Sequence, residues 1–289
     1  FDAEGRPTKA ALGFAKGCQV EMDQLARIDT PKGEWLVYRK TSPGRSAMAL
    51  LPDIARQALD ALPIPKRMRW GDRQDAFIRP VHWILFLSDT DVIPCELFQI
   101  AAGRVTYGHR FHHPEAITVE RPRDYVDILE HQGKVIADSE ERKARIAAAV
   151  TACADALHAT ADDDPALLEE VSALVEWPVA IVASFDEDFL SVPAEALVLT
   201  MKKNQKYFPL FDHDQRLINR FITIANIDST QPELIRSGNE RVIRPRLADA
   251  KFFWDKDIGQ PLAERRAALD RLVFQHKLGS IGDKTQRIE

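Results

Sequence analysis

The sequence predicts an α+β fold of several lobes, in which antiparallel strand-rich pieces are interleaved with helices. Three observations predict it. Short apolar runs such as residues 81–87 (VHWILFL) and 217–227 (LINRFITIANI) have strand length and β-branched or aromatic content. Helical spacings of apolar residues recur elsewhere, as at Ile146, Val150, Cys153 and Leu157. Neighbouring strands are joined by turns of a few residues, 89–91 and 212–215, which suit antiparallel pairs.

The elements follow in order. Residues 1–20 carry a short helical pattern (Ala10, Ala11, Phe14, Ala15), and 34–39 (EWLVYR) reads as a strand. After the turn signal Ser42-Pro43-Gly44, residues 46–62 place Leu50, Leu51, Ile54, Ala58 and Leu62 at helical spacing until Pro63 and Pro65 end the helix. Residues 81–87 read as a buried strand and 92–100 as its partner, with Pro94 favouring an edge. Asp124 is a candidate N-cap for a short helix over 125–131, stopped by Gly133, and Ser139 caps a longer one. Asp164 followed by Pro165 opens a helix with Leu168, Val171, Leu174 and Val175 on one face. Residues 179–185 (VAIVASF) read as a buried strand. Pro193 opens a helix with Leu197, Val198 and Met201 on one side. Lys202 and Lys203 fall in its last turn, where the helix dipole favours cations. Residues 206–211 and 217–227 make two further strands, and Pro261 starts a helix with Leu262, Leu269, Leu272 and Val273 on one face.

A chain of 289 residues holds more than one domain. The expected division is an N-terminal α+β region (1–125), a central α+β region with a helix-hairpin core (126–260) and the start of a following helical domain (261–289). The chain begins at Phe1 and ends in a charged helical pattern, so it reads as a fragment. Its net charge of −5 excludes a general attraction to nucleic acid, and any RNA contact must use local basic patches. Cys18, Cys95 and Cys153 form no CxxC pair, which leaves a disulfide framework and a zinc ribbon unsupported and suits a reducing cytosol. No apolar run has the length of a membrane span and no signal peptide is visible, so a cytoplasmic location is expected.

His109, His112 and His113 have metal-ligand offsets, but their segment is flanked by glycines and Pro114, and a zinc site needs a further ligand. A polar loop is the preferred reading. The acidic groups 162–164, 186–188 and Asp212/Asp214 can bind magnesium in principle; solvated acidic turns are the preferred reading of each. No Ser-His-Asp, GxSxG, Walker or GxGxxG pattern occurs. Four basic clusters, most of them interleaved with aromatic residues, remain. Their candidate RNA-binding residues are Arg67, Arg69 and Arg73; His109 and Arg110; Lys202, Lys203, Lys206 and Tyr207; and Arg241, Arg244 and Arg246. Cations neutralise phosphates and aromatic rings stack on bases. Ion pairing at a structural surface is the competing explanation for each cluster. Lys206 and Tyr207 lie past the helix end, where the dipole does not explain them.

These clusters carry a resemblance. MRWG (68–71), FIRPVHW (77–83), TYGHRF (106–111), LVEWPVAIV (174–182), VPAEAL with TMKKNQKYFPLF ending at Phe211, NERVIRPRLADAKFFWDKD (239–257) and a DKT run near the end are similar to the beta subunit of bacterial two-subunit (alpha2beta2) glycyl-tRNA synthetase. The resemblance implies a non-catalytic part of a glycine-tRNA ligase that binds tRNA(Gly) and the alpha subunit, with no membrane or DNA partner. ATP, glycine and magnesium would bind at the alpha subunit, leaving this stretch without a cofactor and inactive by itself. It also implies later helical and anticodon-binding domains beyond Glu289, and it supplies no catalytic residue here. Two departures stand out: the turn 212–215 lacks a glycine expected at its end, and Lys203 stands where a small residue is common. An alternative is a deacylase that edits mischarged tRNA. A pocket for glycine, the smallest amino acid, excludes larger ones sterically, so the need for editing is weak.

Overall fold

The N-terminal helix α1 (Lys9–Cys18) starts where the Thr8 hydroxyl oxygen accepts the Ala11 N–H and ends at Gln19 in a left-handed conformation. The hairpin β1 (Ala26–Thr30) and β2 (Gly33–Val37) follows, then α2 (Ala47–Ala61), capped by Ser46. In this computed structural model all residues except Ala3 and Lys32 are described. The chain divides into two compact units, Phe1–Pro63 and Ile64–Glu289. The boundaries expected near 125 and 260 both fall inside the second unit.

The second unit opens with short strands: β3 (Met68–Arg69), β4 (Ala76–Phe77), β5 (Ile84–Leu85), β6 (Leu87–Ser88), β7 (Asp91–Val92), β8 (Glu96–Leu97), β9 (Ile100–Gly103), β10 (Val105–Tyr107) and β11 (Ala116–Thr118). The β6–β7 hairpin lies where the turn at 89–91 was expected. The two long strands expected over 81–87 and 92–100 are instead broken into pieces. Phe98 and Gln99 both have positive φ (53° and 57°) and turn the chain between β8 and β9, with no glycine to announce it. Trp83 is 42% exposed, so the first run is not a buried strand.

Helix α3 (Tyr125–Ile128) continues into a wider turn, Leu129–Gly133, that ends at Lys134 with φ 55°. Asp124 makes no capping bond, and Gly133 does not stop the helix. Gly133 serves a different purpose: the His109 N–H donates to its carbonyl at 2.7 Å, and a Cβ on Gly108 would lie 2.6 Å from its Cα. Helix α4 (Ser139–Asp155) is capped one residue earlier than expected, by Asp138, whose carboxylate accepts the N–H groups of Glu140 and Glu141.

A four-stranded sheet follows, made of β12 (Thr160–Ala161), β13 (Val179–Ser184), β14 (Phe208–Phe211) and β15 (Leu217–Ala225) in the order β12-β14-β15-β13, all antiparallel. Helix α5 (Pro165–Leu174) begins at the expected Asp164-Pro165 cap, and α6 (Ala194–Leu199) and α7 (Pro232–Ile258) complete the layers. Strand alternation divides the core between the two faces. Phe208, Leu210 and Ile222 pack with Ile146, Val150, Leu167 and Val171 of α4 and α5. Tyr207, Leu217 and Phe221 pack with Leu197, Met201, Ile243 and Leu247 on the α6–α7 side. The stripes expected for α4 and α5 are rotated: Leu157 and Leu174 are exposed, and Ala154 and Leu167 are buried instead.

β13 is an edge strand, and α7 covers part of that edge with side chains. Arg236 Nε donates to the Val182 carbonyl at 2.9 Å, and one oxygen of Glu240 accepts both the Ser184 N–H and its hydroxyl. α7 continues through Pro245, which removes one backbone donor. Arg241, whose carbonyl loses that partner, and Pro245 both lie on the exposed side of the helix, open to solvent. The chain ends in α8 (Leu262–Leu269), β16 (Val273–Gln275), β17 (Gly279–Ser280) and α9 (Ile281–Ile288). The apolar face expected after Pro261 is not buried: Leu262 is 86% exposed and Val273 lies in a strand.

In the β14–β15 turn, Gln215 has φ 60°, so the glycine missing from the sequence pattern is missing from a left-handed position. A β-carbon there costs about 1 kcal/mol. Gln215→Gly is expected to raise the unfolding free energy by roughly 0.5–1 kcal/mol, less the added unfolded-state entropy. A shift of the urea midpoint upward checks it; a downward shift contradicts it.

Candidate nucleic-acid interface

The lysine-rich segment begins as the last turn of α6, widened over Thr200–Gln205. Lys206 closes it in the left-handed conformation, φ 60°, with its N–H on the Lys202 carbonyl and the Tyr207 N–H on the Met201 carbonyl. This puts the next side chain into the core. Tyr207 is 3% exposed, stacks on Phe221 at 4.5 Å, and shares a 2.7 Å hydrogen bond between its hydroxyl and Asn239 Oδ1. Burial pushes its phenol pKa up to about 12. Tyr207 is therefore a core residue and presents no ring to a base.

The lysines divide by partner. Lys202 Nζ lies 2.5 Å from both Asp162 and Asp164. Burial lowers its pKa, but the hydrogen bonds it donates to the two carboxylates outweigh this and the net shift is upward. Hydrogen bonding from Lys202 and from the Leu167 N–H holds Asp164 below the usual carboxylate range. Lys206 reaches Glu170 at 2.9 Å. Lys203 is exposed, with no ion pair among the described residues.

The other clusters separate in the same way. Arg73 donates to the carbonyl of Phe98 at 2.8 Å, and the Phe98 ring itself packs against Trp70 and Phe77. Arg69 bonds Gln74 and is exposed, as is Arg67. His109 is 1% exposed: Nε2–H donates to the Asn226 carbonyl at 2.7 Å, and Nδ1 accepts from the N–H groups of Phe111 and His112. His112 Nε2 accepts the Asp228 N–H. These rings fasten a polar loop to the end of β15, so His109 is removed as a surface contact. Among the described residues no group of three or more His, Cys, Asp or Glu has a metal-binding arrangement. Arg110 is exposed. Arg244 is held by Asp186 at 2.6 Å, whereas Arg241 and Arg246 on α7 are exposed with no ion pair among the described residues.

The structure does not gather the twelve candidates onto one face. Arg73, Lys202 and Tyr207 brace elements, His109 fastens a loop, and Lys206 and Arg244 are ion-paired. Sequence reasoning missed Asn226 and Asn239. Asn226 Oδ1 accepts the N–H groups of Glu176 and Trp177, and Asn239 receives Tyr207. A lone asparagine carries no local signal of such a role.

A family model described as glycyl-tRNA synthetase beta subunit matches residues 1–289. The chain is 52% identical over 286 residues to a protein named glycine–tRNA ligase beta subunit from Chromohalobacter salexigens, covering 99% of this chain and 41% of that one. Against the protein of the same name from Hahella chejuensis, identity is 50% over 288 residues, covering 100% of this chain and 42% of the relative. The chain spans about two-fifths of the length of these curated relatives.

Proposed function

The chain belongs to the glycyl-tRNA synthetase beta subunit family, and from this premise we propose that it is a tRNA-binding and assembly part of a glycine-tRNA ligase. It has no catalytic residue of its own in this reading. Glycine and ATP with magnesium are handled at an alpha subunit, and the holoenzyme charges tRNA(Gly) in the cytoplasm. No helix among the described residues is long and apolar enough to cross a membrane. The editing alternative gains no support from the relatives, which are named as ligase subunits.

The observation that carries the RNA contact is the state of Arg241 and Arg246: exposed, five residues apart in α7, and without an internal carboxylate partner among the described residues. Such cations are available to phosphates. The test is Arg241→Glu with Arg246→Glu in the assembled enzyme, titrated with tRNA at several salt concentrations. Weaker binding is expected, with the slope of log K against log salt reduced by about 1–2, since each phosphate contact contributes about 0.9. Unchanged affinity and slope would remove α7 from the RNA interface. Lys202 and Lys206 are poor test positions, because reversing either also breaks an internal pair.

A further inference from the structure

We infer that the solvent face of α7 takes unpaired nucleotides of the tRNA, with bases stacked on Phe252 and Phe253 and phosphates on Arg241, Arg246 and Lys256. This rests on the RNA-contact reading above and specifies which part of an RNA the helix receives. Helical spacing places the residues in two rows whose centres are about 100° apart around the axis, on one broad face. Arg241, Phe252 and Lys256 are offset by 11 and 4 residues, and Arg246 and Phe253 by 7. The distance from Arg241 to Phe252 along the axis is about 16 Å, the reach of a few nucleotides. Phe252 and Phe253 are 56% and 64% exposed and meet edge to face at 5.6 Å, and Lys256 Nζ lies 5.7 Å from the Phe252 centroid. Asp249 and Asp257 are the acids on this face, Asp257 is paired with Arg265, and the three cations leave the face net positive although the chain is not.

A duplex shows only phosphates and sugars to a convex helix face and hides the flat faces of its bases. Exposed aromatic rings between cations therefore suit a strand whose bases are unstacked, and they do so without sequence readout. An apolar protein partner would leave Arg241, Arg246 and Lys256 desolvated and unpaired, which is costly.

The test uses the full polypeptide, an unstructured 12-nucleotide oligouridylate and a 12-base-pair RNA duplex, both fluorescein-labelled and read by anisotropy. Phe252→Ala with Phe253→Ala is expected to weaken oligouridylate binding about tenfold or more and to leave duplex binding within about twofold. Both side chains are exposed, and an unchanged urea midpoint verifies that folding is intact. Equal loss for both probes, or no loss for either, overturns the inference. So does loss of association with another protein chain at unchanged RNA affinity, which marks a protein interface. Failure of Arg241→Glu with Arg246→Glu to affect tRNA binding sinks the broader RNA-contact reading instead, and the two results are read from separate variants.

Discussion

Tyr207→Ala is expected to lower the unfolding free energy by about 3–5 kcal/mol, the usual cost of deleting a buried aromatic ring. The ring is 3% exposed and fills the core between Phe221, Leu197, Met201 and α7. The hydroxyl makes a separate contribution through its bond to Asn239. Tyr207→Phe should therefore cost about 1–2 kcal/mol, because Asn239 Oδ1 loses its partner in a half-buried position. Urea denaturation followed by circular dichroism measures both. The functional corollary is specific: Tyr207→Phe should leave tRNA affinity unchanged. If affinity falls while stability is unaltered, Tyr207 reaches RNA and its placement in the core is wrong.

Lys202→Glu is the second large effect. It puts a third carboxylate beside Asp162 and Asp164, which now share one ammonium at 2.5 Å. Breaking a fully buried pair costs about 3–5 kcal/mol; here the side chains keep 24–30% of their surface, and solvent screening reduces the expected loss to about 2–3 kcal/mol. The pair also has a pH signature. Asp164 is shifted down, so its contribution is complete above the ordinary carboxylate range and is lost as pH falls through the lowered folded value. Lys202 is shifted up, so its contribution is complete below the ordinary lysine range and is lost as pH rises through the raised folded value. The triad thus stabilises the fold between roughly pH 4 and 10.4. Lys202→Met should flatten the acid limb of the stability profile; an acid limb identical to that of the parent would show that the triad contributes nothing.

Both results bear on how RNA contacts are chosen. A lysine-aromatic run is an ambiguous signal, because the same residues build cores and ion pairs. In the run 201–211 the aromatics Tyr207 and Phe208 are buried and two of three lysines are paired within the chain. On α7 the balance is reversed, with two phenylalanines and two arginines left in solvent.

The local chemistry was legible in the sequence wherever a short-range rule decides the outcome. Asp164 with Pro165 starts a helix because carboxylate and proline act on the adjacent turn. The helix expected over 46–62 is α2 (Ala47–Ala61), and the 212–215 turn joins two antiparallel strands because loop length permits little else. The missing glycine marked a left-handed position that Gln215 occupies. Errors arose where no local rule acts. Asp124 was read as a cap but lies inside a tight turn, and the Phe98-Gln99 turn has no typical turn residue. No element is assigned to 239–257 from the sequence; α7 runs through Pro245 there because its exposed side tolerates an unpaired carbonyl.

The sequence by itself determined the α+β class, most helices and the family, since these depend on periodicity, caps and runs of matching residues. Only the tertiary structure decided which cations are free. Lys202 is paired across 40 residues, Arg244 across 58 and His109 across 117. Those partners meet because strand register and helix packing bring distant segments together, and electrostatic pairing follows distance in space, to which spacing along the chain is blind.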